Sequence, residues 1–577
     1  MKLIRLKIFE AFRSLPENFE IRFLSTKQEN RIHEFMPYCL VGRNGSGKSN
    51  ILEVLAAIFY HLECMNIKLP TSFIYDKEDN PHGFSSENAI IDAYELEYYF
   101  PLKLEDIKAT WTEMGNKKFS NANAHIHVEK EKGKSPIITW LNRKSFDPTG
   151  EPLLTTLEAK KFFPDYVLGY SSGENEILSL PFFKMRFIHY DEYEEAVLGE
   201  LPYTQPAGRL IYFDNSFSQA VFLTNYLMQE SKVLDPIYKT LGIKGIFQFR
   251  IIIRINEGIQ SGKNRQLVDE RIGSPNKEKE EKNFDLTSRL TALIQILKNC
   301  ATCWENDEGT LLLDYNINEE TKKAFRTSFD NEPIKLFQSF QILLTLNLFD
   351  VKIELKKELY ESESLYVNET VPILPSDRRI MRFKDLMIDT GTYTEEIYNK
   401  SLSDGEHQFL HSMGICLLFK NSNSLFLLDE PETHFNPDWR SLFISTLRDC
   451  LVQKTDKFLS DILITSHSPF IVSDCDRNNV IVFKKSKGVN RKVNISRPDF
   501  NTFGASVSII THNLFHKEET ISRIANKRLK DVLKRYKNGK INLQQAILFA
   551  NQLGDSIEKL ITINELKRTN ISSRKKK

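Results

Sequence analysis

The 577-residue chain has few cysteines, almost no net charge and no long apolar run. Its seven cysteines exclude a disulfide-rich secreted scaffold and favour the reducing cytoplasm. No apolar stretch approaches the ~20 residues of a transmembrane helix, so a membrane protein is not expected. The first residues mix charged and apolar types and predict a strand, not a signal peptide. Cys300 and Cys303 lack a second pair, which favours buried thiols over a zinc site.

Hydrophobic residues make up 41% of the chain and charged residues 27%, which excludes a mainly disordered protein. The net charge of +1 is unevenly spread. Lys517–Lys577 holds 16 basic and 6 acidic residues, a net charge of +10, which leaves −9 on the preceding residues. Such a basic tail favours an anionic partner such as nucleic acid, but a solubilising surface explains it equally well.

Hydrophobic periodicity divides the chain into four parts: an α/β lobe over 1–190, a mainly helical insertion over 191–390, a second α/β lobe over 391–515 and a basic helical segment over 516–577. The first lobe begins with two strands that form a hairpin, Lys2–Phe9 and Phe19–Leu24. In the insertion, helices are predicted over Phe217–Leu234, Leu286–Cys303 and Glu319–Phe349. The sequence has no sustained heptad repeat, so a long coiled-coil arm is not expected.

A short apolar strand, Tyr38–Val41, leads directly into a glycine-rich segment and then an apolar helix over Ile51–Cys64. The segment has the spacing of a P-loop, whose glycines let backbone N–H groups turn toward phosphates. In this pattern Lys48 reaches the β- and γ-phosphates, and Ser49 offers a hydroxyl to Mg²⁺. The predicted nucleotide-binding residues are Gly42, Arg43, Asn44, Gly45, Ser46, Gly47, Lys48, Ser49 and Asn50.

Two further apolar strands end in polar side chains suited to phosphate chemistry. Leu425–Leu428 ends at Asp429 and Glu430, which predicts a magnesium-side carboxylate followed by a general base. Ile462–Thr465 is followed by His467, placed to contact a γ-phosphate. Taken singly, each pattern is also compatible with ordinary surface residues.

Ser403, Gly405 and Glu406 precede an apolar helix over His407–Phe419. A serine and a glycine at a helix N-terminus form an anion-binding turn, although an ordinary helix cap has the same residues. A second anion site serves no purpose beside the P-loop of one subunit. It is useful if it covers the γ-phosphate bound by another subunit.

The order of these motifs resembles the ABC-type ATPase head, in which they are called Walker A, signature, Walker B and switch histidine. The resemblance covers residues 1–65 and 395–475. It implies a two-lobed α/β P-loop head that binds ATP and Mg²⁺ and dimerises around two nucleotides. Ser49 and Asp429 would hold the metal, Glu430 and His467 would be catalytic, and Ser403, Gly405 and Glu406 would cap ATP in trans. Gly169–Glu176 is the candidate for the glutamine loop.

Among such heads the chain resembles the soluble RecF and OLD-type group, and within it the PtuA ATPases of Septu and retron-associated antiphage systems. The extended Walker B segment, 429–437, and the switch segment, 465–470, carry this resemblance. It implies a homodimer or higher oligomer that controls a separate HNH nuclease (PtuB-like), with a reverse transcriptase and RNA–DNA as further partners. No nuclease motif is evident in the chain itself, and slow, regulatory hydrolysis is expected.

Two other functions stay open from the sequence. A RecF-like repair ATPase would also use the head and would contact DNA through the basic tail. A nuclease hidden within the insertion would cleave DNA without a partner.

Overall fold

The computed structural model describes most of the chain. The described residues are 1–24, 31–67, 84–87, 89–107, 122–172, 178–198, 208–254, 288–349, 351–361, 371, 374–390, 397–452, 458, 460–485, 493–515 and 521–574.

Strands and helices alternate through both lobes. The strands are β1 Lys2–Ile8, β2 Phe19–Arg22, β3 Tyr38–Gly42, β4 Tyr94–Pro101, β5 Asn123–Lys130, β6 Ile137–Trp140, β7 Val167–Ser171, β8 Leu210–Tyr212, β9 Gly245–Arg254, β10 Cys303–Asp307, β11 Thr310–Asn316, β12 Met381–Asp389, β13 Ile397–Tyr398, β14 Leu425–Asp429, β15 Asp461–Ser466, β16 Val480–Lys485 and β17 Val493–Ser496. The helices are α1 Lys48–Cys64, α2 Thr156–Ala159, α3 Leu180–Leu198, α4 Ser218–Met228, α5 Ser231–Leu241, α6 Ser288–Cys300, α7 Glu319–Ser328, α8 Pro333–Thr345, α9 Ile353–Glu361, α10 Asp404–Leu418, α11 Pro437–Leu451, α12 Pro469–Ser473, α13 Val507–Phe515, α14 Arg523–Lys537, α15 Leu543–Asn551 and α16 Ile557–Arg574.

A seven-stranded sheet forms the centre of the molecule, in the order β17-β16-β3-β15-β14-β7-β8. All its neighbouring strands run parallel except β17, which is antiparallel to β16. Every residue of β3, β7, β14 and β15 is buried, as expected for parallel strands covered on both faces. Because these strands are neighbours and parallel, their carboxyl ends meet at one edge of the sheet.

An antiparallel sheet of order β2-β1-β4-β5-β6 accompanies the central sheet in the first lobe. The predicted hairpin of β1 and β2 is confirmed by their antiparallel pairing. Side chains alternate between buried and partly exposed along β4 and β5, so one face of this sheet packs on the core. The prediction of an α/β, two-lobed P-loop head is confirmed.

The insertion holds more than the predicted helices. A second antiparallel sheet, of order β10-β11-β9-β12-β13, lies within and just after 191–390, and the sequence analysis did not predict it. The insertion is also less separate than its predicted boundary suggests, because position 190 falls inside α3 and β8 pairs with β7 of the central sheet.

The helices predicted in the insertion form at the expected positions, but two of them are each divided into two helices. The stretch Phe217–Leu234 is two helices, α4 and α5, separated where Gln229 takes an extended backbone. Glu319–Phe349 is likewise divided into α7 and α8, since Pro333 starts a new helix.

Three helices, α14, α15 and α16, form the described part of the basic C-terminal segment. Their own core is small and consists of Val532, Ala546 and Leu566, with four partly buried neighbours. Ile524, at the start of α14, is apolar, yet 75% of it is exposed. The segment is therefore helical as predicted, with a narrower apolar contact than its sequence suggests.

The cysteine pair was only half correctly predicted. Cys300 is buried at the end of α6, whereas Cys303 is exposed on the edge strand β10. Among the described residues, no group of three or more His, Cys, Asp or Glu side chains is arranged to hold a metal ion. In the same part of the chain, no helix has the length and apolarity needed to cross a membrane.

Asp461 joins the first lobe to the central sheet. It is fully buried at the start of β15, where its Oδ2 accepts a hydrogen bond of 2.8 Å from the backbone N–H of Leu3. Its Oδ1 lies 3.7 Å from Nζ of Lys2, which is also buried. Burial raises the pKa of Asp461 and lowers the pKa of Lys2, so each charge depends on the other.

We expect Asp461→Ala to lower the free energy of unfolding by about 3–5 kcal/mol, because it leaves the Lys2 ammonium and the Leu3 amide buried without this partner. Urea titration followed by circular dichroism measures the change. Asp499→Ala, at an exposed aspartate, is the control and should have little effect. Equal stability losses in the two variants would show that Asp461 does not join the sheets.

Candidate functional site

The P-loop lies between β3 and α1, at the edge where the parallel strands end. Arg43, Asn44 and Gly45 are exposed, whereas Ser46, Gly47 and Lys48 are buried. Gly47 caps α1 with a φ of 98°, and a Cβ there would lie 2.7 Å from Oγ of Ser14. Both the backbone angle and the close approach therefore require glycine at this position. The loop directs the N-terminus of a 17-residue helix outward, which favours bound anions.

Lys48 reaches across the loop to the end of β15. Its Nζ lies 2.8 Å from Nε2 of His467 and 3.2 Å from the carbonyl oxygen of Gly42. The side chain is 5% exposed. Burial lowers the pKa of Lys48, and the nearby Glu430 and Asp429 carboxylates oppose that shift. An ammonium held in this position can reach a phosphate bound over the loop.

Asp429 is the most enclosed member of the site. It is fully buried at the end of β14, and its Oδ1 accepts hydrogen bonds from Ser49 Oγ at 2.7 Å and Thr465 Oγ1 at 2.5 Å. Burial raises the pKa of Asp429, while these two hydroxyls favour its charged form. Register explains the contact, because Asp429 is paired directly with Thr465 of β15.

Glu430 has a backbone that non-glycine residues rarely adopt, with a φ of 47°. Its N–H donates to Thr465, at 3.0 Å from the side-chain oxygen and 3.2 Å from the carbonyl oxygen. Its Oε1 lies 3.2 Å from Nε2 of His467. The hydrogen bond with His467 lowers the pKa of Glu430. Strained residues persist where their surroundings fix them, and they cluster at active sites.

These residues have the composition of a site for Mg²⁺ and a nucleoside triphosphate. Ser49 and Asp429 place a hydroxyl and a carboxylate oxygen together, and Mg²⁺ prefers oxygen ligands. Ser46 adds a hydroxyl that is buried and has no hydrogen-bond partner among the described residues. The donor set, the buried ammonium of Lys48 and the helix N-terminus therefore fit the metal and the phosphates.

A second buried carboxylate, Glu432, supports the switch segment from behind. It is 4% exposed, and Ser466 Oγ donates a short hydrogen bond to its Oε1. Ser466 Oγ in turn accepts a hydrogen bond of 2.9 Å from the N–H of Ser468. Burial raises the pKa of Glu432 to about 7. This chain of contacts holds both residues beside His467.

The signature segment begins α10 with a complete capping box. Ser403 Oγ accepts a hydrogen bond from the N–H of Glu406 at 3.4 Å, and Glu406 Oε2 accepts one from the Ser403 N–H at 2.7 Å. Ser403 Oγ also donates to Glu406 Oε2 at 2.7 Å. Ser403 and Asp404 are exposed. Among the described residues, the side chains of Ser403 and Glu406 hydrogen-bond within this segment and not to the P-loop of the same chain.

Gly405 holds the start of α10 against the segment that follows strand β14. A Cβ at Gly405 would lie 2.8 Å from the backbone oxygen of His434, which leaves no room for another side chain. One turn later, Gln408 Oε1 accepts a hydrogen bond of 3.0 Å from the His434 N–H. Phe409 packs on Phe435, with ring centroids 5.4 Å apart.

The glutamine-loop candidate lies partly within the described residues. Gly169 to Ser171 belong to β7 and Ser172 follows, while 173–176 lie outside the described residues. Ser172 contacts the site directly, since its Oγ donates to the Glu430 carbonyl oxygen and to Thr433 Oγ1. The described part of this segment is therefore adjacent to the end of β14.

Sequence reasoning gave no role to several residues that shape the site. The motifs that contain Thr465 and Glu432 assign neither of them a role, and Ser14 lies outside every motif. Ser14 Oγ donates a hydrogen bond of 2.6 Å to Asn50 Oδ1 and lies against Gly47. The position of the polar Thr465 at the end of a predicted apolar strand was the available signal for it, but nothing local indicates Ser14.

Comparison with known families identifies part of the chain. Residues 368–473 match the family described as "AAA domain, putative AbiEii toxin, Type IV TA system". The matched stretch includes Ser403, Asp429, Glu430 and His467 and excludes the P-loop. Over this stretch the chain is similar to an AAA domain, which agrees with the predicted P-loop ATPase fold.

The chain is also similar to individual known proteins. Protein ea59 of Escherichia phage lambda is 26% identical over 208 residues, which is 33% of this chain and 38% of the length of ea59. Two solved Smc heads each align at 12% identity over 86% of this chain. One is bound to the C-winged helix domain of ScpA, with 98% of its chain covered and a TM-score of 0.31. The other, from Pyrococcus yayanosii, has 97% covered and a TM-score of 0.27.

Glu432 predicts a pH dependence of stability. Its pKa of about 7 lies above the ordinary value of 4.5, so the folded state favours the protonated acid. This contribution is complete below the unfolded pKa and is lost as the pH rises through about 7. We expect Glu432→Gln to remove that loss, which amounts to about 3 kcal/mol at about 1.4 kcal/mol per pKa unit.

Urea denaturation of the wild type and Glu432→Gln at about pH 5 and pH 8 measures the difference. The variant should lose less stability than the wild type over this range. Parallel decreases in both proteins would show that Glu432 is already ionised at low pH.

Proposed function

We propose that the chain is an ATP-binding and ATP-hydrolysing subunit of an antiphage defence complex and regulates a separate nuclease or toxin. The observation that carries the ATPase part is the meeting of Lys48, Asp429, Glu430 and His467 at one edge of the central sheet. Three segments far apart in sequence supply these side chains, and their chemistry suits phosphoryl transfer.

In this proposal Lys48 and the P-loop backbone bind the phosphates of ATP, and Ser49 with Asp429 holds Mg²⁺, which neutralises charge on the phosphate oxygens. Glu430, an ionised carboxylate at neutral pH whose pKa His467 lowers, orients a water and accepts its proton. The water oxygen bonds to the γ-phosphorus as the bond to the ADP oxygen breaks. His467 holds Glu430 and contacts the γ-phosphate.

The signature segment completes the site in a dimer. Ser403, Gly405 and Glu406 start an exposed helix N-terminus, and their capping contacts remain within the segment. We propose that this turn covers the γ-phosphate bound by a second copy, so that ATP joins two heads in a symmetric pair.

The defence role rests on two lines of support. The extended Walker B segment resembles that of PtuA ATPases, for which an HNH nuclease is the partner and a reverse transcriptase with RNA–DNA is a further one. The matched family's description also names a putative toxin of a toxin–antitoxin system, a class of conflict system. A PtuB-like HNH nuclease is therefore our first candidate partner.

A RecF-like repair ATPase is the second candidate. The three C-terminal helices favour it, because residues 521–574 hold 12 basic and 4 acidic side chains, a net charge of +8. Such a surface suits DNA contact.

We expect Glu430→Gln to bind ATP, to lose nearly all turnover and to accumulate as an ATP-bound dimer, because the base is removed while the phosphate contacts remain. Phosphate release and size-exclusion chromatography with light scattering measure turnover and dimerisation. Ser403→Arg should bind ATP equally well and stay monomeric, since its side chain occupies the trans cap.

Lys48→Ala is the control for nucleotide dependence and should bind ATP too weakly to dimerise. Normal turnover in Glu430→Gln would assign the base to another residue. ATP-dependent dimers of Ser403→Arg would contradict the trans cap while leaving the P-loop assignment intact.

We expect tagged Glu430→Gln protein, expressed with its neighbouring genes, to co-purify with a stoichiometric small nuclease. Mass spectrometry and nucleic-acid sequencing identify what is bound, including a reverse transcriptase or RNA–DNA. Recovery of the ATPase with bulk DNA alone would favour the repair function. DNA cleavage by the purified single chain would instead establish an internal nuclease.

A further inference from the structure

The insertion sheet has one face on the core and one face away from it. Phe249, Ile251 and Ile253 of β9 belong to the large core cluster, so their neighbours Arg250 and Arg254 lie on the opposite face. We call this opposite face the outer face of the insertion sheet.

Strand β12 adds two more cations to the same face. Arg382 is paired with Ile252, and Lys384 is paired with Arg250. Arg382 is thus diagonal to Arg254 across the two strands, within reach of a long side chain. Like charges placed opposite each other in a sheet are destabilising unless an anion compensates them.

Compensation within the chain is incomplete. Arg250 forms a bidentate pair with Asp314, with hydrogen bonds of 2.6 and 2.8 Å. In the described part of the chain, Arg254 donates to the carbonyl oxygens of Ser376 at 3.3 Å and Arg379 at 2.8 Å and to no carboxylate.

Arg379 and Arg382 are also without a carboxylate partner among the described residues. Arg379 Nε donates 3.0 Å to the carbonyl oxygen of Leu374. The Nε of Arg382 is buried and has no hydrogen-bond partner in the described part of the chain. Burial lowers the pKa of Arg382, and the charges of Arg254 and Arg379 lower it further. Three guanidinium groups are therefore close enough to repel one another.

Within the described ranges, the nearby acidic residues do not pair with these three arginines. Asp385 lies 3.9 Å from Lys384, a weak contact, and Asp377 is exposed. Glu305 and Asp307 are exposed on β10, which is two strands away from β9 in the sheet. Positive charge is therefore concentrated at the β9–β12 side.

We propose that Arg254, Arg379 and Arg382 form a binding site for the phosphate groups of a nucleic-acid backbone. Guanidinium groups bind phosphate through paired, parallel N–H donors, a geometry that an ammonium group lacks. Arg254 and Arg382 lie on two adjacent strands and Arg379 precedes the second, a spread that suits a linear chain of phosphates better than a single small anion. This surface is distinct from the basic C-terminal helices.

Phosphate binding by these arginines does not require ATP hydrolysis, since none of them belongs to the proposed ATP site. Arg379→Gln combined with Arg382→Gln tests it, because Arg254 hydrogen-bonds the backbone and is left in place. We expect the pair to weaken binding of a labelled DNA duplex by roughly tenfold and to reduce the salt dependence of binding by about two phosphate contacts. Fluorescence anisotropy of the full chain at several NaCl concentrations gives both quantities.

Arg22→Gln combined with Lys132→Gln is the charge-matched control at two exposed positions and should bind duplex as the wild type does. Lys527→Gln combined with Lys530→Gln tests the C-terminal helices. Unchanged duplex binding in the Arg379/Arg382 pair would overturn the proposal, whether binding is then lost in the C-terminal pair or in neither. Loss of binding to phosphatidylserine vesicles with duplex binding retained would also overturn it, as would loss of free phosphate binding alone.

Where the glutamine pair fails to fold, Arg379→Lys with Arg382→Lys keeps the charge and removes the paired donors, and it should give an intermediate loss. Hydrogen exchange of the wild type with duplex requires no variant. Protection of 378–384 supports the site, and protection confined to 523–537 refutes it. ATP turnover of the glutamine pair should match that of the wild type, so failure here and failure of the ATPase proposal are distinguishable.

Discussion

The burial of one carboxylate, Asp429, constrains the whole proposed ATP site. A charged group at the end of a fully buried strand is costly unless hydrogen bonds compensate it. Ser49 from the P-loop helix and Thr465 from the neighbouring strand supply these bonds. The carboxylate therefore holds three segments in register, and the strands that carry them determine where Lys48, Glu430 and His467 can lie.

Thr465 extends this constraint to catalytic geometry. The same hydroxyl that donates to Asp429 accepts the N–H of Glu430, whose backbone is held in a left-handed conformation. That conformation turns the Glu430 side chain toward His467, at the edge where the P-loop opens. Glu432 acts from the other side through Ser466, so the switch segment is fixed between two acidic residues. Local strain is compensated by contacts between strands.

Much of the head could be predicted from the sequence because its signals are local. The P-loop needs glycines at fixed spacing beside a strand and a helix, and Asp429 and Glu430 follow an apolar strand directly. Residues that act through pairing, such as Thr465, could not be assigned in the same way, since register joins segments far apart in the chain. The roles of the ATP-site residues remain predictions until variants are measured.

The insertion and the tail show where local patterns were insufficient. Strand β9 pairs with β12, more than a hundred residues later, so periodicity within one window did not reveal the second antiparallel sheet. Ile524 fits the apolar stripe of its helix but lies beyond the small core formed by Val532, Ala546 and Leu566. Tertiary neighbours, not the stripe itself, decide which apolar residues are buried.

The contact between Gly405 and His434 has a consequence for communication between subunits. It holds the start of α10 against residues 431–435, which follow Glu430. The two segments therefore have no space to slide past each other. In the proposed dimer, that helix would face the partner's nucleotide while Glu430 faces its own. A displacement at either nucleotide would thus be transmitted through this rigid junction to the other. The two ATP-binding events should consequently be coupled, and a bulkier residue at Gly405, which does not fit against His434, should remove that coupling.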